Sequence, residues 1–384
     1  MPESKRLVDL VQSRIDEFLL SREPIVTLIS PDLTPLIDFS RQFLSGGKRF
    51  RAQFCYWGAQ SVLAANSGLR TQDSSAAYRA NPAAASAARA PLAAVVSAAS
   101  ALEIFHAAAL VHDDIIDNSD TRRGAPSAHK LFESLHENEG WSGGPVTFGR
   151  ASAILLGDLL LGWSDELLDE GLDAVADRVS ARQARLEFNR MRTEVTAGQY
   201  LDILEERAWL AQPESQLLDR ALRVIVYKSA KYSVQAPLVI GAALAGASAV
   251  QLGSLRAFGL PLGIAYQLRD DLLGVFGDAA VTGKPSGDDL TEGKRTVLIA
   301  LARERLTDRD RQALDAQLGD PTLDRAQVRA LQELITASGA VERVETLIAA
   351  QVAEALTALH TAPITEAAQQ TLLDLTDRVT RRQY

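Results

Sequence analysis

The chain has 384 residues, enough for one large domain or two ordinary ones, and 47% of them are hydrophobic and 23% charged, as in soluble globular proteins. The formal net charge of -9 excludes a general nucleic-acid surface, because phosphate backbones require a broad basic face. The single cysteine, Cys55, excludes an internal disulfide and a multi-cysteine metal site, so we interpret it as a small buried apolar residue.

Apolar residues recur with a helical period along the chain, and no alternating, β-branched run predicts a strand. The pattern predicts an all-α fold of roughly ten or more helices, in a single domain over residues 1–384. The N-terminal MPESKRLVDL lacks the pattern of a secretion signal. The most apolar windows, PLAAVVSAASAL and APLVIGAALAGASAV, are too short and too alanine-rich for a spanning helix. We therefore predict a cytoplasmic protein without a membrane span.

The first motif in chain order is SGGKRFR, in which Lys48, Arg49 and Arg51 follow a glycine pair. The glycines predict a loop-to-helix junction, where backbone N–H groups also favour anions. The segment is a candidate anion site, and a solvated basic turn is the alternative.

Two segments differ from the helical background. Residues 66–90 are rich in Ala and Ser and poor in large apolar groups, which predicts a mobile insertion between two helices. Residues 134–150 contain Gly-Gly-Pro and predict a loop. Neither segment is a domain linker, because the apolar helices on both sides are needed to complete one core.

The stretch LVHDDIID, residues 110–117, places Asp113, Asp114 and Asp117 at the end of an apolar helical run. At spacings of three and four residues they share one face, where like charges repel and the helix C-terminus adds partial negative charge. A divalent cation removes this conflict, and a solvated acidic helix end is the alternative. Carboxylates with few other ligands suit Mg²⁺, which completes its octahedron with water and substrate phosphate oxygens.

Basic and polar residues occur close to this motif. Arg122 and Arg123 follow the aspartates directly, which is the pattern expected where a metal ion and an anion meet. His106 lies seven residues before Asp113, and therefore on nearly the same helical face. A single histidine is weak evidence of a site, so His106 is a candidate only because these aspartates and arginines lie near it.

Further polar groups lie in later apolar helices. Gln199 and Asp202, in AGQYLDI, are candidates to line the same cavity. Lys228, in VYKSAKY, lies in an otherwise apolar helix. A buried lysine needs an anionic partner, and a snorkelling surface lysine is the alternative.

A second acidic stretch, AYQLRDDLLGVFGD, ends another apolar helical run with Asp270 and Asp271. A continuing helix places Asp278 two turns later, nearly in line with Asp271. We expect the two acidic clusters to face each other and to hold magnesium ions that clamp a diphosphate. The next segment, TGKPSGDDLTEGKRT, supplies Lys284 and Lys294 among glycines, which predicts a flexible flap over a charged ligand.

Six motifs now stand in a recognisable order, and the sequence resembles the trans-isoprenyl (polyprenyl) diphosphate synthases over residues 40–300. The motifs that carry the resemblance are GGKRFR, HDDIIDNSDTRRG, GQYLD, YKS, YQLRDDLLGVFGD and TGKPSGDDLTEGKRT. The resemblance implies an all-α isoprenoid synthase fold, with helices around a deep central cavity and usually as a homodimer. It also implies condensation of isopentenyl diphosphate with an allylic diphosphate such as dimethylallyl, geranyl or farnesyl diphosphate.

The resemblance also implies roles for individual residues. Several Mg²⁺ ions are expected on the aspartates of the two motifs, Asp113, Asp114, Asp117, Asp270 and Asp271. The residues expected to bind the allylic diphosphate are Arg122, Lys228, Ser229, Gln267, Lys284 and Lys294. Those expected to bind isopentenyl diphosphate are Lys48, Arg51, His106 and Arg123. The catalytic groups among these are Asp113, Asp117, Asp270, Lys228 and Lys284.

The chemistry fits these roles. Breaking the allylic C–O bond leaves a delocalised carbocation and a diphosphate, whose negative charge metal ions and lysines stabilise. Side-by-side binding sets the second substrate's alkene against the cation, and a dry apolar cavity keeps water from quenching it. Proton loss then regenerates an allylic product, and the departing diphosphate is the base that we expect. One departure from the family is Gly274, where many members carry a third aspartate, with Asp278 as a more distant substitute.

The helix before the first motif is expected to line the pocket for the growing chain. Ala108 and Ala109 lie about 6–7.5 Å deeper than Asp113, and Phe105 about 12 Å deeper, at 1.5 Å per residue. The alanines leave the pocket open and Phe105 is a candidate floor, so we predict geranylgeranyl diphosphate (C20), with a C15 or a longer product (C25 or above) as the alternatives. The residues assigned to this chain-length pocket are Phe105, Ala108, Ala109, Gln199 and Asp202.

Two other classes share some of these features. A terpene cyclase has the first acidic motif but needs no second diphosphate site, so GGKRFR and Arg123 disfavour it. A non-catalytic subunit of a heteromeric synthase is expected to lack aspartates, and here only Gly274 points that way. Consumption of isopentenyl diphosphate distinguishes a synthase from a cyclase, and activity of the purified chain alone distinguishes it from a non-catalytic subunit.

Overall fold

The computed structural model describes residues 3–67, 82–122, 124–278 and 286–380. Within these ranges the chain is helical, apart from one antiparallel pair of two-residue strands, β1 (Thr121–Arg122) and β2 (Ala125–Pro126). The all-α prediction is confirmed. Cys55 is buried, as predicted, and its burial raises the pKa of the thiol to about 12.

The helices follow in chain order. Those up to residue 208 are α1 (Glu3–Ile29), α2 (Thr34–Phe43), α3 (Phe50–Ser67), α4 (Pro82–Ile116), α5 (Ala128–Asn138), α6 (Pro145–Asp173) and α7 (Arg178–Ala208). Those up to residue 303 are α8 (Leu217–Val224), a π-helix (Ile225–Gln235), α9 (Ala236–Leu244), α10 (Ala249–Phe276), α11 (Asp288–Glu292) and α12 (Val297–Arg303). The last are α13 (Asp308–Gln317), α14 (Arg325–Ala337), α15 (Ala340–His360) and α16 (Glu366–Thr380). Three 3₁₀ turns, Pro31–Leu33, Trp209–Ala211 and Glu214–Gln216, connect some of them.

The described residues form two compact units. The first lies within residues 1–186 and 237–249, and the second within residues 187–236 and 250–384. A single domain over the whole chain stays a prediction.

Close helix packing in the first unit depends on glycine. A Cβ on Gly58 of α3 would lie 2.1 Å from the Leu238 carbonyl oxygen of α9, and one on Gly241 would lie 1.8 Å from that of Cys55. These separations are far below van der Waals contact, so only glycine allows α3 and α9 to cross at this distance. This close contact fixes α3 against α9. Helix α3 begins within the predicted anion-binding motif, so the contact also positions that motif.

The second unit encloses a long π-helical segment. A Cβ on Gly198 of α7 would lie 2.4 Å from the Lys228 nitrogen, and one on Gly263 of α10 would lie 2.5 Å from the Ala230 carbonyl oxygen. Because these two residues have no side chain, α7 and α10 can each pack directly against the backbone of the π-helix. Turns of π-helix are rare in proteins, and those that occur are often found at functional sites. The segment around Lys228 is therefore a candidate site.

Two predicted loops are shorter than the sequence indicated. Of residues 66–90, residues 68–81 lie outside the described residues, whereas 82–90 are the first residues of α4, consistent with the high helix propensity of alanine. Of residues 134–150, only 139–144 separate α5 from α6. Pro145 occupies the first turn of α6, a position that proline favours because its missing N–H has no helical partner there.

Two helices within the described residues reach the length and apolarity of a membrane span by composition. In Leu92–Ile116, 83% of the apolar window is buried inside the protein, and in Pro145–Asp173 the figure is 33%. The window PLAAVVSAASAL is therefore part of a longer apolar helix than the sequence suggested. Burial of most of Leu92–Ile116 is typical of a core helix of a globular protein.

Candidate active site

The basic motif of the first unit is ordered by a buried ion pair. Arg49 has a positive φ of 51°, and its guanidinium lies 3.2 Å from a carboxylate oxygen of Glu103 on α4. The other Glu103 oxygen accepts a 3.1 Å hydrogen bond from the Ala52 N–H, in the first turn of α3. Arg49 is therefore structural, while Lys48 is exposed and Arg51 half-buried at the start of the same helix.

Replacing Glu103 by alanine is expected to destabilise the fold. It leaves the buried Arg49 charge without its carboxylate, and breaking a buried pair in this way costs about 3–5 kcal/mol. Urea unfolding measures the loss. Glu166 is the matched control, because its 2.8 Å ion pair with Arg22 is solvent-exposed and its removal is expected to cost at most about 1 kcal/mol. Equal effects for the two substitutions would contradict this role for Glu103.

The acidic end of α4 already contacts a cation. Arg122 of β1 donates a 2.8 Å hydrogen bond from Nε to Asp114, and its Nη2 lies 3.4 Å from Asp113. Asp114 is fully buried and also forms an ion pair with Arg122 Nη2, whereas Asp113 and Asp117 are half-buried. The chain itself thus supplies the counter-charge for Asp114. Asp113 and Asp117 are the better placed of the three for a metal ion in contact with solvent.

The other predicted residues of the first unit lie on α4 or outside the described ranges. His106 and Ala109 are half-buried, while Phe105 and Ala108 are buried at 4% and 0% exposure. His106 and Asp113 thus share helix α4 with three of the predicted chain-length residues, Phe105, Ala108 and Ala109. Arg123 lies outside the described residues.

A cavity of about 120 Å³ brings together several predicted residues of the second unit. Two others, the half-buried Asp270 and Gln199, are not among its lining residues. Its polar lining residues are Asp202, Lys228, Ser229, Gln267, Asp271, Asp289, Lys294, Arg295 and Thr296. They come from α7, the π-helix, α10, α11 and the segment before α12. Five separate stretches of sequence therefore converge on one small polar space.

Lysines and carboxylates pair around this cavity. Lys228 Nζ lies 2.5 Å from Asp202, and Lys294 Nζ lies 3.2 Å from Glu206 and 3.6 Å from Asp202. Asp202 is therefore an ion-paired carboxylate beside two lysines of this polar cavity. Its assignment to the chain-length pocket stays a prediction. Gln199 lies about one turn earlier on α7 and is half-buried.

Asp271 is the most buried acid of the second motif. Its side chain accepts a 2.9 Å hydrogen bond from Gln267, which lowers the pKa of the carboxyl. Burial raises that pKa by more, and the negative charges of Asp289, Asp270 and Asp202 raise it further. A cation at this position reverses the effect, because an adjacent positive charge favours the ionised carboxylate.

Sequence reasoning missed three residues of the cavity. Asp289 follows Asp288 in GDDLTEGKR, and its adjacency to Lys294 was the available signal. Arg295 and Thr296 come directly after that lysine. Within the described residues, Arg295 Nε and Nη1 and Thr296 Oγ1 are buried without a hydrogen-bond partner, and burial lowers the pKa of Arg295. Such donors suit an anionic ligand with several oxygens.

Asp278 and Lys284 differ from the prediction. Helix α10 ends at Phe276, so the helical alignment of Asp278 with Asp271 is wrong, and Asp278 is an exposed residue beyond the helix end. Lys284 lies outside the described residues. Helix α11 begins at Asp288, and the preceding Gly287 has a φ of 81°, which provides the left-handed turn into the helix.

The side chains around this cavity suit a magnesium ion that keeps water and substrate ligands better than they suit a metal ion held by protein side chains alone. Within the described residues, no group of three or more His, Cys, Asp or Glu side chains is arranged to hold an ion unaided. Mg²⁺ is usually bound by one or two carboxylates, with water and phosphate oxygens completing the octahedron. The buried Asp271 carboxylate and the unpartnered Arg295 and Thr296 donors match such a shared site.

The fold and sequence resemble known proteins. A family model described as Polyprenyl synthetase matches residues 35–335. A crystal structure of geranylgeranyl pyrophosphate synthase from Corynebacterium glutamicum, complexed with isoprenyl diphosphate and magnesium, has a TM-score of 0.86 and 36% identity, over 98% of this chain and 99% of that chain. The geranylfarnesyl diphosphate synthase of Natronomonas pharaonis is 30% identical over 358 residues, 91% of this chain and 90% of that protein.

A shorter match is the short chain isoprenyl diphosphate synthase of Methanothermobacter thermautotrophicus, which is 30% identical over 231 residues, 58% of this chain. The chain spans 60% of the length of this curated relative.

Proposed function

Because the chain belongs to the polyprenyl synthetase family, we propose that it is a Mg²⁺-dependent trans-prenyltransferase that joins isopentenyl diphosphate to an allylic diphosphate and releases diphosphate. The observation that carries this proposal is the cavity of the second unit. Lys228, Lys294 and Arg295 provide cationic groups there, and Asp271 and Asp289 provide carboxylates, around a single space of about 120 Å³. Cations and carboxylates together suit a magnesium diphosphate, which carries charges of both signs.

The allylic diphosphate binds to this set of groups. Lys228, Lys294 and Arg295 donate to its oxygens, with Ser229 and Gln267 nearby and Lys284 as a further ligand. Asp270 and Asp271 would hold magnesium, which would neutralise the charge that develops on the leaving diphosphate. The lysine ammonium groups stabilise that same charge from fixed positions, which favours cleavage of the C–O bond.

The second substrate binds through the basic residues of the first unit. Lys48 and Arg51 at the start of α3, with His106 and Arg123, bind the diphosphate of isopentenyl diphosphate. Asp113 and Asp117, assisted by Asp114, would contribute further magnesium ligands, and Arg122 would bind the allylic diphosphate. The buried pair of Arg49 and Glu103 supports this role, because it fixes the backbone that presents the basic side chains.

The product that we propose is geranylgeranyl diphosphate (C20). The small side chains of Ala108 and Ala109 support it, and the relatives that make C20 and C25 products set the range of alternatives. The test incubates the pure protein with Mg²⁺, labelled isopentenyl diphosphate and dimethylallyl, geranyl or farnesyl diphosphate, and then sizes the products. A C20 limit with every primer supports the proposal, and a C15 or C25 limit would replace it.

Replacing Ala108 by phenylalanine is expected to shorten the product, because an aromatic ring about 7.5 Å below Asp113 closes the pocket early. The reciprocal change, Phe105→Ala, is expected to lengthen the product by removing the floor about 12 Å down. Product sizing by chromatography measures both. Unchanged chain lengths in both variants would refute the pocket assignment.

We also propose a cytoplasmic homodimer. Exposed apolar side chains on α6 support the dimer, since Val146, Ile154 and Leu155 are 51%, 45% and 65% exposed. Exposed apolar patches of this kind mark interaction surfaces. The mass of the purified chain by light scattering tests the oligomeric state.

A further inference from the structure

His112 lies directly before Asp113 near the end of α4, and its ring packs on the backbone of α6. A Cβ on Gly157 would lie 2.2 Å from His112 Nε2, so the ring occupies the volume that a side chain at position 157 would fill. The same Nε2 lies 3.3 Å from the Ile154 carbonyl oxygen and 3.4 Å from an Asp158 carboxylate oxygen. Both oxygens are acceptors, so Nε2 carries the proton and donates it.

Two further contacts align α4 with α6. The Ala101 carbonyl oxygen accepts a 3.0 Å hydrogen bond from Ser164 Oγ, and a Cβ on Gly171 would lie 2.8 Å from Ser97 Cβ. Residues earlier on α4 thus contact residues later on α6, and the two helices run antiparallel at close range. His112 adds a contact at the acidic end, where it fixes the last turn of α4 against α6.

The acidic turn itself is held at both ends. The Asp117 N–H donates a 2.8 Å hydrogen bond to the Asp113 carbonyl oxygen, so the two aspartates belong to one helical turn. Arg150 of α6 donates from Nη2 to Asn118 Oδ1 directly after this turn, where the Asn118 backbone has a positive φ of 55°. Helix α6 therefore contacts the turn at His112 on one end and at Asn118 on the other.

We propose that His112 is a positioning residue for the reaction, because it fixes the last turn of α4 and with it the Asp113 carboxylate that would bind magnesium. This role rests on the proposed function, since it requires a metal ion at the first acidic motif. Small displacements matter here, because misplacing a reacting group by about 1 Å can cost on the order of a hundredfold in rate. His112 acts through Asp113 and needs no contact with the metal ion or the substrate.

The test measures the Mg²⁺ concentration that half-saturates binding of inorganic pyrophosphate to the full chain, by calorimetry. His112→Ala removes the ring, and Gly157→Ala pushes it aside by adding a Cβ. Each is expected to raise that concentration about tenfold, the lower end of the range for groups that orient a metal ligand. The double variant His112→Ala/Gly157→Ala is expected to be no worse than either single variant, because the added Cβ then has no ring to displace.

Three more variants separate positioning from packing. His112→Gln is expected to stay within about threefold of the unsubstituted protein, because its amide nitrogen reaches the position of Nε2. In the Asp113→Asn background, His112→Ala is expected to change the Mg²⁺ concentration by less than about twofold, because no carboxylate is left to position. Gly162→Ala on the same helix is the matched control and is expected to change nothing, since a Cβ there meets nothing within 4 Å among the described residues.

Melting temperatures without Mg²⁺ report how much the contact contributes to stability alone. Lower melting temperatures with an unchanged Mg²⁺ concentration in His112→Ala and Gly157→Ala would overturn the inference and leave a packing contact. Additive effects in the double variant, or a full effect of His112→Ala in the Asp113→Asn background, would also overturn it. If Mg²⁺ does not affect pyrophosphate binding to the unsubstituted chain, the proposed function fails together with this role. Mg²⁺-dependent binding that His112 and Gly157 do not alter counts against the positioning role only.

Discussion

The Asp113→Asn variant is expected to consume isopentenyl diphosphate about a hundredfold to a thousandfold more slowly than the unsubstituted protein, the usual effect of losing one electrostatic contact to a developing charge. Asp113 is half-buried at the end of α4, only 3.4 Å from Arg122 Nη2, and the amide keeps its shape while removing its charge. Steady-state kinetics at saturating substrate measures the change in kcat.

Two neighbouring aspartates provide controls for this result. Asp120 is 65% exposed in the next turn and lies 3.5 Å from His129, so Asp120→Asn removes the same charge and is expected to leave kcat within about twofold of its original value. Asp114→Asn is expected to reduce stability, because it breaks the buried pair with Arg122. A full rate in Asp113→Asn would show that the carboxylate holds no metal in the reaction.

The Asp271→Asn variant is expected to be more stable than the unsubstituted protein when magnesium and diphosphate are absent. Burial and three neighbouring carboxylates raise the pKa of Asp271, so the folded state favours the protonated acid. A group of this kind contributes stability at low pH that is lost as the pH rises through its raised pKa. The amide stays neutral at every pH, so the variant is expected to keep that stability at neutral pH.

Thermal unfolding measures the effect, at about 2–4 °C for each kcal/mol in a unit of this size. The same variant is expected to lose the stabilisation that Mg²⁺ and pyrophosphate together give to the unsubstituted protein, since ligand-induced stabilisation follows the affinity for the folded state. The half-buried Asp315 pairs with Arg303 and does not line the cavity, so Asp315→Asn is the control, and it is not expected to stabilise the protein or to change its response to Mg²⁺ and pyrophosphate. A variant that is less stable without ligand and still stabilised by it would contradict this account of Asp271.

Local patterns in the sequence predicted the elements that carry the site. The apolar spacing before LVHDDIID and before YQLRDD places both acidic pairs at the ends of long helices, and α4 and α10 confirm this. The apolar surroundings of Lys228 predicted a lysine with an anionic partner, and Asp202 is that partner. In each case the signal lies within about two helical turns of the residue, where helical periodicity determines which face it occupies.

Partnerships between distant segments could not be predicted in the same way. Arg49 belongs to a basic motif, yet its guanidinium is buried against Glu103, which is 54 residues away. The Asp289 carboxylate lies 2.0 Å from where a Cβ on Gly274 would be, a contact between α10 and α11 that neither segment predicts alone. Helix ends were also misjudged, since α10 ends two residues before Asp278. Such features depend on tertiary packing, which overrides local propensity.

The most direct test of the central claim is the fate of labelled isopentenyl diphosphate in the presence of the pure chain, with Mg²⁺ and an allylic diphosphate added together or singly. The account predicts that the label enters a longer allylic diphosphate only when both are present, with one diphosphate released for each bond formed. Release of diphosphate from the allylic substrate without uptake of the label would contradict it and would indicate a cyclase. No reaction under any condition would indicate a subunit that lacks catalysis on its own.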